Sequence, residues 1–90
     1  MSKINSPKIN FPCSRYPIKI IGNKIDGFVE KIIVVLDRLS VSFYEESIVV
    51  KDSNGGRFCS LRLEIEAKSL DQLKLINQEL RKTGFIQMVL

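Results

Sequence analysis

Histidine is absent from all 90 residues. Without an imidazole the chain has no Ser-His-Asp or Cys-His arrangement, in which that ring carries the proton. Cysteine is scarce, with only Cys13 and Cys59, far apart in the chain. Two thiols and no histidine fall short of the ligands that a zinc ion needs. No apolar run approaches the roughly 20 residues required to span a bilayer. The first ten residues carry no apolar core of a secretory signal. The phosphate-loop and dinucleotide glycine patterns are also missing. These absences argue against an enzyme, a metal, a cofactor or a membrane span. They point to a cytoplasmic chain whose thiols stay reduced.

What is present suits one small soluble domain. Hydrophobic residues make up 44% and charged residues 27%, an ordinary balance for a globular fold. The net charge is +4, and the basic residues are spread along the chain. Such a mild excess favours solubility and weak anion attraction without identifying a nucleic-acid binder.

Residues 1–15 read as a tail, disordered at its start and docking near Phe11 and Pro12. The domain is expected over 16–90. Tyr16, Ile18 and Ile20 alternate with Lys19, which predicts a first strand. Gly22-Asn23-Lys24 reads as a turn, and Asn23 or Asp26 as the cap of the helix that follows. Ile25, Phe28, Val29, Ile32, Leu36 and Leu39 recur at helical spacing. A second strand is expected over 41–51. Asn54-Gly55-Gly56 supplies the positive φ of a tight hairpin. A third strand over 58–67 puts Cys59, Leu61, Leu63, Ile65 and Ala67 on one face. Ser69 and Gln72 form a capping box for a second helix. Gly84 stops that helix, and 85–90 closes the chain as a strand.

The order strand-helix-strand-strand-helix-strand predicts an α+β, ferredoxin-like βαββαβ two-layer sandwich. Its four-stranded antiparallel sheet carries both helices on one face. The other face is left open and partly apolar, which marks it as a surface for a partner or for self-association into a homodimer. Phe58, Arg62, Phe85 and Val89 are its expected anchors. RNA-recognition domains share this strand order and stack bases on aromatics of the two central strands. Here Phe58 has no aromatic counterpart on the first strand, which argues against nucleic acid. Glu64 and Glu66 share a strand face, but no apolar pocket is evident that would raise a carboxyl pKa for acid-base work.

Phe11-Pro12, Ile20-Ile21-Gly22, the hairpin from Ser53 to Phe58 and the closing Met88-Val89-Leu90 together resemble the YbeD-like family of small bacterial proteins of unknown function. The resemblance covers about residues 10–90. It implies a fold similar to ACT regulatory domains, which commonly sense small metabolites. It also implies a ligand at the first strand-to-helix turn, where Gly22 and Gly27 match the glycines of such turns. Asp26 stands where a proline is often found. Gly22, Asn23, Lys24, Asp26 and Gly27 are therefore the candidate ligand residues, and an unidentified small metabolite or a protein is the expected partner.

Overall fold

A computed structural model describes residues 11–90. The order is β1 (Cys13–Asn23), α1 (Phe28–Arg38), β2 (Phe43–Asp52), β3 (Phe58–Ala67), α2 (Leu70–Lys82) and β4 (Ile86–Val89). The strands form one antiparallel sheet in the order β2-β3-β1-β4. This is the ferredoxin-like arrangement that the pattern predicts. The expected tail over 1–10 lies outside the described residues. The end of that tail is corrected: Cys13, Ser14 and Arg15 already belong to β1, and Phe11 packs against the core. Cys13 pairs with Ala67 across a register shift, so this part of the strand does not show the simple alternation that marks its remainder.

The alternation of β3 carries over residue by residue. Cys59, Leu61, Leu63, Ile65 and Ala67 are all buried. They meet Ile32, Val35 and Leu36 from α1 and Ile76 and Leu80 from α2 in one core. Burying a side chain of this size contributes about 1.5–3 kcal/mol relative to exposure. That burial holds α1 together despite the β-branched run Ile33-Val34-Val35, whose stiffness lowers helix propensity. Ile25 precedes α1 and lies exposed, outside the stripe to which its spacing assigns it.

The helix ends differ in how they are made. Ser69 Oγ accepts the Gln72 N–H at 3.1 Å. Gln72 Oε1 reaches back to the Lys68 N–H at 2.7 Å, one residue earlier than a standard capping box. In α1 the cap is Gly27, with φ of 74° and no side-chain hydrogen bond. The expected Asn23 or Asp26 cap is therefore corrected. A left-handed residue enters the helix there, and glycine adopts that conformation without a Cβ clash.

Two irregularities shape the sheet. Between Tyr44 and Val49 the pairing of β2 with β3 shifts. Ser47 bridges the gap: its hydroxyl donates to the Tyr44 carbonyl at 2.6 Å and accepts the Glu64 N–H at 2.8 Å. The second shift lies between Ile21 and Gly22, where β4 pairs Met88 with Ile21 but Ile86 with Gly22. Gln87 is the extra residue of that bulge, and it reverses the facing of β4 along its length.

Candidate functional site

Cross-strand partners share a face, so the pairing lays out the open side of the sheet. One row runs Lys19, Arg62, Val49 across β1, β3 and β2. The next runs Met88, Ile21, Ser60, Lys51 across β4, β1, β3 and β2. Phe58 opposite Asn23 stands beyond them. Phe58 is 41% exposed, Val49 47% and Met88 44%. A groove of about 290 Å³ runs among Lys19, Ile21, Lys51, Phe58 and Ser60.

Two of the four expected anchors are on this face, Phe58 and Arg62. The other two are corrected. Phe85 is 8% exposed and meets Phe28 edge to face at 5.7 Å between ring centroids. Val89 pairs with the buried Ile20 and packs against the core. The bulge at Gln87 is the cause for Val89, since one extra residue inverts the face assigned to everything beyond it; Phe85 precedes β4 and turns inward onto Phe28. Met88, Ile21 and Val49 lie on this face instead. Sequence alternation could have found Val49, once the shift in β2 was known, but not Met88.

At the far end of the face the charges are matched. Arg15 reaches Glu64 at 2.7 Å and Glu46 at 2.9 Å, and its guanidinium lies 3.9 Å from the centre of the Tyr44 ring. The hydrogen bond from Arg15 holds the Glu46 carboxyl below its usual range, and the same bonds raise the Arg15 pKa. A depression of about 360 Å³ borders this cluster, lined in part by Pro17, Ser47, Val49 and Arg62.

The strand-to-helix turn is occupied from within. A Cβ on Gly22 would stand 2.5 Å from the Phe85 carbonyl oxygen and 3.1 Å from the Phe28 ring. The Asn23 N–H donates to that carbonyl at 2.8 Å, and Asn23 Oδ1 accepts from Gln87 at 3.2 Å. Lys24 Nζ donates to Asp52 at 2.7 Å. This bond raises the lysine pKa and lowers that of the carboxyl. Asp26 is exposed. Around Gly27 a Cβ would meet only side-chain tips, Lys31 at 3.8 Å and Glu30 at 3.9 Å. The structure thus gathers the five residues at one end of the sheet, with Gly22 serving close packing.

Cys59 is buried, and burial pushes its thiol pKa up, with the nearby Asp52 carboxylate adding to the effect. A thiol so placed is a poor nucleophile, because the thiolate is the reactive form. Among the described residues there is no group of acidic and thiol side chains placed to hold a metal ion. No helix among them is long and apolar enough to cross a membrane.

Comparison with known proteins gives the family and the fold. The model of a family described as "Protein of unknown function (DUF493)" matches residues 6–90. A UPF0250 protein of Pseudomonas aeruginosa is 44% identical over 87 residues, covering 97% of this chain and 94% of the relative. That of Azotobacter vinelandii is 40% identical over 87 residues, covering 97% and 95%. Protein HP0495 from H. pylori has a similar solution structure, with a TM-score of 0.73 at 19% identity over 94% of this chain and 88% of its own. The ACT domain from GTP pyrophosphokinase of Chlorobium tepidum matches with a TM-score of 0.66 at 23% identity, over 86% and 97%. These likenesses establish an ACT-like fold.

Proposed function

Since the chain belongs to the DUF493 family and has an ACT-like fold, we propose that it is a cytoplasmic regulatory or adaptor domain that acts by non-covalent binding rather than catalysis. Its partner is a protein, held on the open face of the sheet. One observation carries this reading: Phe58, Val49 and Met88 stand exposed on three strands of one uncovered face. Water contact with apolar side chains grouped in this way is unfavourable, and covering them is a common basis for association. Aromatic residues, methionine and arginine are enriched in the cores of such interfaces.

A metabolite at the Gly22–Gly27 turn is the second reading. It is favoured by the open surroundings of Gly27 and by the ACT-like fold. Against it, the Asn23 and Lys24 side chains are already engaged with Gln87 and Asp52. The Phe85 carbonyl fills the space that Gly22 leaves.

Site-specific photo-cross-linking in cells separates the two. A cross-linking residue replaces Phe58 in one variant and Lys74, exposed on α2, in another. The expected result is a discrete protein adduct from position 58 that is lost from position 74. Equal adducts from both positions, or none from 58, would overturn the open-face reading. Amide shifts at 22–28 on adding a pool of amino acids would then support the turn.

A further inference from the structure

The open face holds a charge arrangement that folding alone does not account for. Lys19 and Arg62 stand directly opposite each other on the two central strands. Like charges in that position destabilise a sheet. Lys51 lies in the next row, beside Ser60. Elsewhere in the molecule Arg15, Lys24, Arg38 and Lys82 each have a carboxylate within ion-pair distance. Among the described residues Lys19, Lys51 and Arg62 have none, a condition they share with Lys31, Arg57, Lys68, Lys74 and Arg81; what sets these three apart is that strand pairing groups them on one face. Glu64, two residues along β3 from Arg62, is held by Arg15.

We infer that the partner is a protein segment in which carboxylates alternate with aliphatic or aromatic side chains, and that the Lys19–Arg62 pair receives the carboxylates. The inference rests on the open-face reading and names the chemistry of its occupant. Val49 flanks the cationic pair in its own row, Ile21 and Met88 lie in the next row and Phe58 in the one beyond, and together they supply apolar contact. Methionine repacks readily around differing side chains. A carboxylate set between Lys19 and Arg62 converts a repulsion within the sheet into two attractions across the interface. A second copy of this chain fits poorly, since each copy carries a net charge of +4. Nucleic acid fits less well than an acidic segment. Sequence-tolerant strand binding uses successive aromatic platforms. On the central strands this face offers Phe58 alone, while the Tyr44 ring on β2 is covered by Arg15.

The test uses the whole chain, immobilised, to select from a library of short random peptides. Enriched peptides should alternate Asp or Glu with Leu, Ile or Phe. Arg62→Glu should weaken the selected peptide about tenfold or more, whereas Lys74→Glu, the same charge change on the helix layer, should leave it within about twofold. Arg62→Glu also turns the repulsive pair into an attractive one, so the variant should unfold no lower in temperature than the parent. Binding lost while stability is kept therefore cannot be a folding defect. Enrichment of basic or neutral peptides, or equal loss in both variants, would overturn the inference. So would tight binding of a uridine oligonucleotide that weakens steeply with salt, without acidic enrichment. If the adduct from position 58 persists while acidic peptides fail, only this inference falls. If that adduct is also absent, the open-face reading falls with it.

Discussion

At the scale of single residues, a glycine that sequence reasoning assigns to a ligand is needed by the neighbouring backbone. Gly22 lets β1 approach the Phe85 carbonyl, and any side chain there meets that oxygen at 2.5 Å. Backbone yields less readily than a flexible side-chain tip. Gly22→Ala is therefore expected to lower stability by about 1–3 kcal/mol, as overpacking does, read from the urea midpoint. The result separates two roles: a ligand-clearance glycine would lose binding and keep its fold. Gly27 is different, with a positive φ and open surroundings. The sequence cannot distinguish the two, because glycine in a turn looks the same whether it admits a ligand, a neighbouring strand or a left-handed φ.

At the scale of elements, the bulge in β2 depends on one hydroxyl. Ser47 takes the Glu64 N–H that the shifted register leaves without a strand partner. Ser47→Ala should cost about 1–3 kcal/mol, the range for a half-buried donor left without an acceptor. Faster hydrogen exchange at the Glu64 amide is the specific check; unchanged exchange would mean that the strands re-register. Alternation read from sequence places β3 correctly because Phe58 to Ile65 pair with β1 without interruption. It fails for β4 because the strand has four residues and Gln87 is an insertion between paired positions. A bulge leaves no reliable mark in the residue types, so Val89 is assigned to the wrong face and Met88 is missed; Phe85 lies before the strand, where alternation does not apply. The α2 cap is legible in Ser69 and Gln72. The α1 cap is not, since Asp26 has the right chemistry beside Gly27 and the backbone takes the left-handed route instead.

At the scale of the whole molecule, ion pairs tie the outer strand β2 to the β1 segment across the intervening β3. Arg15–Glu46 joins β1 to β2, and Lys24–Asp52 joins the residue just after β1 to the last residue of β2. Hydrogen bonds to these cations lower the Glu46 and Asp52 pKa values in the folded state. A carboxylate so lowered contributes stability above its unfolded pKa, and that contribution is lost as pH falls through the folded value. Protonating acids also raises a net charge that is already +4 at neutrality, adding self-repulsion. The thermal midpoint should therefore be lower at about pH 3 than at pH 7, with only a modest loss because both pairs are exposed. An unchanged midpoint would show that these pairs contribute nothing. By itself the sequence determined the element order, the core face of β3 and the absence of histidine chemistry, because residue type and short-range period carry that information locally. Only the tertiary structure decided which residues share the open face. The facing Lys19 and Arg62, with Lys51 in the next row, lie far apart in the chain and become neighbours through register. The scattered basic residues thus form a local cationic surface, because strand pairing is a long-range property that one-dimensional spacing does not encode.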